Sequence, residues 1–280
     1  MSGNATRSQG RGLKSSRLVT VTRPRDGTYL NVPFYAQTLE FTCGPACVMM
    51  ALKFFHPETA LHRGLELSLW REATTVFMTR GLGGCGPMGL AAAAARRGMN
   101  VLVVQSAAGI PFLHSVRSPE KREVIRIVHE QNRDEADRLG VARYYGRFDV
   151  PLVRALLERR VVPIVLISLY RLYGTKEPHW VVVTGYDGRN VYFHDPYAPI
   201  AGGSNGLDIP VSVPEFRSMR RYGKDLSKML VALADHPIDM PSNVLPSGDA
   251  GLSRSRRVIG SAARTGRVRS AAKPRDSKRR

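Results

Sequence analysis

The sequence predicts an α+β fold in which helices come first along the chain and strands follow. The chain has 280 residues, of which 43% are hydrophobic, and this is enough to build the core of one sizeable domain. Apolar residues recur at helical spacing in the first half, whereas β-branched runs separated by turns dominate the second half. This order favours segregated helices and strands over an alternating βαβ array.

The first predicted helix begins at Cys43 and covers CGPACVMMALKFF. Pro45 lies in its first turn, where the missing N–H costs nothing, and Pro57 lies just beyond its end. Further helices are predicted within TALHRGLELSLWREATTVFM, after the Gly-rich loop of GLGGCGPMGLAAAAARRGMN, and in SPEKREVIRIVHEQNRDEADRLG, VPLVRALLERR and VPEFRSMRR.

The predicted strands lie mostly downstream. TYLNVPFYAQ reads as an extended entry segment, and Pro33 argues against a central strand there. A hairpin is predicted in HWVVVTGYDGRNVYFHDP, with a two-residue turn at Asp187-Gly188, and a loop over residues 197–209 follows it. The other predicted strands are VLVVQ, VVPIVLISLY and SKMLVALAD.

The positive charge is concentrated at the two ends of the chain. The net charge is +19; residues 1–27 contain six Lys/Arg and one Asp, and residues 241–280 contain eleven Lys/Arg and two Asp. Both ends are rich in Ser, Gly, Ala and Arg and poor in aromatic residues, so they cannot bury enough apolar surface to fold. We predict a disordered basic arm (1–27), one folded domain (28–240) and a disordered basic tail (241–280). Such ends are typical of solvated tails; weak contact with nucleic acid or an anionic surface is the alternative.

The sequence favours a cytoplasmic protein with reduced thiols. The first thirty residues contain no apolar stretch of a signal peptide, and the longest apolar run, VVPIVLISLY, is about half the length of a membrane helix. Three cysteines are too few for a disulfide scaffold. Export without a leader remains the alternative.

Cys43 is a candidate nucleophile because a helix start lowers the pKa of a thiol. A nucleophilic thiol needs a base, and the base needs an orienting group. His179 lies eight residues before Asp187, and Asp195 lies seven residues after Gly188, so the hairpin brings them to one end. His194 is expected to face away from this pair, since neighbours alternate on a strand.

The oxyanion formed by attack on a carbonyl needs hydrogen-bond donors. The backbone N–H of Cys43 is one candidate, and the side-chain amide of Gln37, six residues upstream, is the other. Taken singly, each residue also has an ordinary structural interpretation: a buried cysteine, a strand histidine, a turn aspartate and a loop glutamine. The ordered set favours catalysis.

A second Cys-Gly-Pro at Cys85 is the rival nucleophile. Its glycine-rich surroundings allow close backbone approach, but no glutamine lies at the equivalent upstream distance. Cys85, Gly84 and Trp180 are therefore candidate cleft-lining residues. A phosphate cradle lacks a preceding strand and a following Lys-Ser/Thr, and a zinc site is disfavoured because Cys47 should point into the core.

QTLEFTCGPACVMM followed by HWVVVTGYDGRNVYFHDP resembles the papain-like cysteine peptidases that process double-glycine leader peptides of bacteriocins, over roughly Val32 to Asp235. The resemblance implies a papain-like fold, with helices packed on an antiparallel sheet. It implies Cys43 as nucleophile, His179 as base and acid, Asp195 as orienting residue and Gln37 in the oxyanion hole. The segment WREATTVFMTRGLGGCGPMGLAAAAARRG is similar to a bacterial branch of peptidase-like proteins of unknown role.

The expected function is therefore that of a cysteine peptidase or related amide-bond hydrolase acting on a peptide or protein. This chemistry needs no metal and no organic cofactor. Two alternatives remain: transfer of the acyl group to an amine by the same triad, and a catalytically silent module that binds peptides or accompanies nucleic acid.

Overall fold

The computed structural model describes residues 23–75, 83–202, 205–223, 226–239 and 252–253. Along the chain the elements are β1 (Thr28–Tyr29), α1 (Cys43–Phe55), α2 (Arg63–Ala73), α3 (Pro87–Ala95), β2 (Asn100–Gln105), a 3-10 turn (Leu113–Ser115), α4 (Pro119–Arg138), β3 (Ala142–Tyr145), α5 (Val150–Glu158), β4 (Val162–Ser168), α6 (Tyr170–Tyr173), β5 (Pro178–Tyr186), β6 (Asn190–His194), β7 (Ile209–Ser212), α7 (Val213–Met219), β8 (Met229–Ala234) and β9 (Leu252–Ser253).

The described strands form one sheet, in the order β7-β6-β5-β4-β8-β2-β3-β9, with β1 paired to β5. All neighbours are antiparallel except β2 and β3, which are parallel. The predicted α+β class is confirmed, and the parallel pair is an addition to the antiparallel sheet expected from the sequence. Its crossover is α4, which supplies the long connection that parallel neighbours require.

Two helices form the centre of the helical layer. Every residue of α3 except Ala95 is buried, and α1 is buried from Cys43 to Leu52. Helices that are apolar all round belong inside a core, and α1 packs on β5 and β4 whereas α3 packs on β2 and β8. At Gly89 a Cβ would lie 2.4 Å from the carbonyl oxygen of Ala73, so α2 and α3 approach closely there.

Several short elements were absent from the sequence prediction. β3, α6 and β7 have four residues each, too few for a periodic pattern to stand out. β9 lies inside the predicted tail and pairs with β3, and Arg23, inside the predicted arm, bonds Asp208. Residues 1–22 of the predicted arm and all of the predicted tail except residues 252–253 lie outside the described part, so the domain bounds stay a prediction.

The hairpin differs in detail from the predicted two-residue turn. β5 ends at Tyr186 and β6 begins at Asn190, so three residues connect the strands. Tyr186 pairs with Val191, but the register shifts at Thr184, which is an extra residue on β5. This β-bulge changes which residues of the two strands lie opposite each other.

Among the described helices, none combines the length and the apolar character that crossing a membrane demands.

Candidate active site

Cys43 is the first residue of α1 and is 7% exposed. The carbonyl of Thr42 accepts the N–H of Ala46 at 3.0 Å and closes the first turn. The N–H groups at the start of a helix have no intrahelical acceptor, so this end of α1 favours negative charge beside the Cys43 sulfur.

His179 and Asp195 form a buried pair at the edge of the sheet. The Nε2–H of His179 donates to Oδ1 of Asp195 at 2.7 Å, and the two residues are 3% and 0% exposed. Because Nε2 is engaged in this way, Nδ1 is the ring nitrogen left to face Cys43, which lies near enough to act electrostatically on the ring. The structure thus brings Cys43, His179 and Asp195 close together.

Asp195 is held by further donors. The hydroxyl of Tyr173 donates to its Oδ2 at 2.6 Å, and the N–H of Tyr197 donates to its Oδ1 at 2.9 Å. Its own N–H donates to the carbonyl of Gly206 at 2.8 Å. Gly206 has φ +77°, and a Cβ there would lie 2.4 Å from the Asp195 carbonyl oxygen, so only glycine fits.

These contacts set the charge state of the pair. Burial lowers the pKa of His179, but the negative charge of Cys43 and the hydrogen bonds with Asp195 and Cys43 outweigh it and raise that pKa to about 10. Burial raises the pKa of Asp195, but the hydrogen bond and positive charge of His179 bring it below its usual value. These directions favour a charged His179 beside a charged Asp195.

The bulge at Thr184 puts His179 and Asp195 on the same face of the sheet. Val182 pairs with His194, so continuing the register places Asp195 opposite Val181, two residues from His179. Residues two apart share a face, and diagonal neighbours remain within reach. The predicted two-residue turn would have placed Asp195 opposite Trp180, whose side chain points to the other face. The strand register predicted from the turn alone was therefore wrong by one residue.

Gln37 is buried and lies in the segment before α1. Its Nε2 donates to the carbonyl of Leu39 at 2.7 Å, and its backbone N–H donates to the carbonyl of Pro196 at 3.0 Å. The carboxamide is thus fixed by one N–H, and the second N–H of Nε2 is the one available for an oxyanion.

The other two cysteines lie in apolar surroundings. Burial, and the charge of Cys43, raise the pKa of Cys47 and of Cys85 well above 9. Cys47 donates its S–H to the carbonyl of Trp180 at 3.3 Å. Both stay protonated at neutral pH, so neither is a prepared nucleophile.

The repeated Cys-Gly-Pro occupies two different positions relative to a helix. Cys43 is the first residue of α1, whereas Cys85 precedes Gly86, the N-cap of α3. Cys85 forms a β-bridge with Thr74, and its carbonyl accepts the indole N–H of Trp180 at 3.0 Å. Cys85 and Trp180 are both buried and join the Gly-rich loop to β5, while Gly84 is partly exposed.

His194 points away from the pair, to the other face of β6. Its Nε2–H donates to the carbonyl of Val32 at 2.9 Å, and its Nδ1 accepts the N–H of Asp208 at 3.0 Å. Asp208 also accepts the hydroxyl of Thr184 at 2.6 Å and the guanidinium of Arg23 at 2.7 Å. This network holds the bulged residue.

A cavity of about 370 Å³ opens at the same edge of the sheet. His179 pairs with Ile167 on β4, and β4 pairs with β8, whose first residue Met229 lines the cavity together with Lys228 before it. Two strand spacings, or roughly 10 Å, separate β5 from β8. The other walls are mostly apolar and include Ile110, Pro111, Phe112, Tyr222 and Met229.

Two residues at the site were missed in the sequence. Tyr173 lies in a four-residue helix, and no local pattern marks it. Glu66 is 0% exposed, and it shares the apolar stripe of α2 with Leu69 and Ala73. A carboxylate on a buried stripe is a detectable signal, because an unpaired charge would not be tolerated there. Within the described residues, no three His, Cys, Asp or Glu side chains cluster closely enough to hold a metal ion.

The sequence profile of the Peptidase_C39 like family matches residues 32–234. The chain belongs to that family. The resemblance drawn from the Gln-Cys and His-Asp segments, and the papain-like fold expected from it, are confirmed by this match. No curated protein matches the chain significantly.

Solved structures of three C39-type peptidases are similar to this Peptidase_C39-like chain. A protein described as a C39-like peptidase from Bacillus anthracis is 12% identical with a TM-score of 0.46, covering 76% of this chain and 99% of its own. A double-glycine-motif protease from an AMS/PCAT transporter, solved with its leader peptide, is 17% identical with a TM-score of 0.37, covering 74% and 94%. The peptidase domain of Streptococcus ComA is 13% identical with a TM-score of 0.38, covering 74% and 99%.

Proposed function

We propose that this protein is a cysteine peptidase that hydrolyses amide bonds in peptides, with Cys43, His179 and Asp195 as its triad. The observation that carries the proposal is the buried hydrogen bond between His179 and Asp195, with Cys43 beside this pair at the start of α1. Membership of a peptidase-like family supports the same chemistry.

In the first step the Cys43 sulfur attacks the carbonyl carbon of the scissile amide. The carbon–nitrogen bond breaks as the imidazolium of His179 protonates the leaving amine, and a thioester remains on the sulfur. Neutral His179 then takes a proton from water, whose oxygen attacks the thioester and releases the acid. Asp195 orients the ring and stabilises its charged form.

The negative oxygen formed in both steps requires donors that are already in place. The N–H of Cys43 at the start of α1 and the second Nε2–H of Gln37 are the donors we assign. Loss of one such donor typically slows turnover by about 10²–10³-fold.

We assign the substrate a path along the sheet edge, from His179 toward the cavity near Lys228. Roughly 10 Å corresponds to about three residues of extended chain. We assign the apolar walls to a substrate side chain at that distance. A free thiol works in a reducing compartment, and we propose the cytoplasm as the location.

The test combines thiol labelling with trapping of an acyl-enzyme. Iodoacetamide at pH 7 is expected to alkylate Cys43 faster than free cysteine and to leave Cys85 unmodified, as read by peptide mass spectrometry. His179→Ala should remove that advantage, whereas Cys85→Ala should keep it. Alkylation no faster than that of free cysteine, with no effect of His179→Ala, would sink the proposal.

A defined peptide library supplies the second measurement. Rapid acid quench of wild-type protein should reveal a thioester on Cys43 that is absent in Cys43→Ala. Added hydroxylamine or amine nucleophiles distinguish the two fates of the acyl group, because a peptidase yields mainly the free acid. Products that are mainly amides would identify an acyl transferase instead.

A further inference from the structure

Glu66 is a buried carboxylate that takes no part in the steps above. It lies in the first turn of α2 and accepts hydrogen bonds from one short segment, residues 35–42. The donors are the Tyr35 hydroxyl at 3.0 Å, the Thr38 N–H at 2.8 Å, the Thr38 hydroxyl at 2.8 Å and the Thr42 hydroxyl.

Two of these partners are the chain neighbours of the reacting groups. Thr38 follows Gln37, and Thr42 precedes Cys43. Glu66 therefore fixes the chain directly after Gln37 and directly before Cys43, next to both proposed oxyanion donors. The Leu39 carbonyl adds to this, because it accepts the Gln37 side chain at 2.7 Å and lies 2.9 Å from the Thr42 hydroxyl.

The burial of Glu66 makes these bonds strong constraints. A carboxylate removed from water is tolerated only when its oxygens accept hydrogen bonds. Hydrogen bonds to a charged acceptor are also stronger than those between neutral groups. The segment 35–42 has no regular secondary structure between β1 and α1, so side-chain bonds of this kind determine its shape.

Helix α2, which carries Glu66, is held in place by contacts of its own. The Trp70 indole N–H donates to the Gly83 carbonyl at 2.8 Å, and α2 lies against α3 at Gly89. Through the hydrogen bonds of Glu66, the position of α2 therefore constrains the segment before α1.

We propose that Glu66 is a positioning residue for the oxyanion site, holding Gln37 and the Cys43 N–H where the negative oxygen forms. The proposal rests on the peptidase function assigned above. It assigns a purpose to α2, which lies between the two segments on which the family resemblance rests.

Two small reagents that attack the same sulfur test this role. With p-nitrophenyl acetate, a sulfur–carbon bond forms through a tetrahedral oxyanion, and the carbon–oxygen bond to p-nitrophenolate breaks. With iodoacetamide, sulfur displaces iodide and no oxyanion forms. The ratio of the two rates at Cys43, read by mass spectrometry against a Cys43→Ala blank, isolates the oxyanion site.

In Glu66→Gln the negative charge is lost, and the Tyr35 and Thr38 hydroxyls that face the new NH₂ must turn to accept from it, so charge-assisted bonds to the segment are replaced by weaker neutral ones. We expect acetylation of Cys43 to slow by about tenfold or more, while alkylation stays within about threefold of wild type. Thr38→Val, which removes one donor, should shift the ratio in the same direction by less. Glu72→Gln on the same helix is the matched control, because Glu72 pairs with Arg97 instead, and its ratio should equal that of wild type.

The outcomes separate the two proposals. If wild type is acetylated no faster than the Cys43→Ala blank, the peptidase function fails, whatever Glu66 does. If wild type is acetylated but Glu66→Gln keeps the wild-type ratio, or both rates fall together, Glu66 is only a structural residue and this inference is overturned. Thr38→Val decides the case if Glu66→Gln does not fold.

Discussion

The side chain of Asp195 is held by hydrogen bonds from three separate segments. Its carboxylate accepts from His179 on β5, from Tyr173 on α6 and from the N–H of Tyr197. All three donors favour the charged carboxylate, which in turn favours charged His179. The residue next to it, Pro196, accepts the N–H of Gln37, so the Asp195 and Gln37 segments are joined.

Asp195→Asn is expected to move the alkaline limb of kcat/KM to lower pH by about one unit or more, where one unit corresponds to about 1.4 kcal/mol. The amide keeps the size of the side chain but removes the charge that helps to hold the pKa of His179 near 10. A pH–rate profile of both proteins measures the shift. An alkaline limb at the same pH in both would show that Asp195 does not stabilise the imidazolium.

The same pair predicts the pH dependence of stability. Because the folded pKa of His179 lies above its ordinary value of 6.5, its stabilising contribution is complete below that value and is lost as the pH rises toward about 10. The difference in free energy of unfolding between wild type and Asp195→Asn should therefore shrink over that range in urea titrations.

At the scale of elements, the β5–β6 hairpin is the feature that assembles the site. Its register would place Asp195 on the wrong face without the extra residue at Thr184. A slip of one residue turns every side chain of a strand to the opposite face, so the bulge is a requirement of the geometry. The Thr184 hydroxyl, held by Asp208 at 2.6 Å, stabilises it.

Thr184→Val should lower the free energy of unfolding by about 1–3 kcal/mol, because Asp208 loses a partly buried hydrogen bond while the shape of residue 184 is kept. We also expect kcat to fall with little change in KM, since the His179–Asp195 contact depends on this register. Thr184→Ser is the matched control and should restore both values. A stability loss with unchanged kcat would mean that the rest of the sheet holds the register alone.

At the scale of the whole molecule, the sheet order brings distant segments to one edge. His179 on β5 and Lys228 beside β8 are joined through β4, although about fifty residues separate them in sequence. Residues of the 106–114 loop form another wall of the cavity at this edge. The proposed substrate path therefore depends on the pairing of the strands.

Ile110→Glu should raise KM for peptide substrates by about tenfold or more, because a carboxylate in an apolar wall opposes burial of an apolar side chain. Ile127→Glu is the control, since Ile127 lies on α4 and is 46% exposed. Steady-state kinetics on a peptide found in the library experiment measure the change. Equal KM values for both variants would show that the cavity does not bind the peptide substrate.

The helices were largely predictable from local signals. α1 and α4 begin close to the positions that their Pro and cap residues indicated, and α5 begins at the first residue of its predicted segment, because capping and helical spacing act over a few residues. The short elements α6, β3 and β7 were not predictable, since their form depends on neighbours rather than on their own four residues. Tyr173 was missed for this reason.

The sequence by itself determined the family and the α+β class and predicted the set Gln37, Cys43, His179 and Asp195, because motifs and periodicity are written in consecutive residues. Only the tertiary structure decided that Asp195 shares a face with His179, that Cys85 is buried before its helix, and that Glu66 holds the segment beside Gln37. These features depend on strand register and on contacts between segments distant in sequence, and neither is encoded in a local pattern.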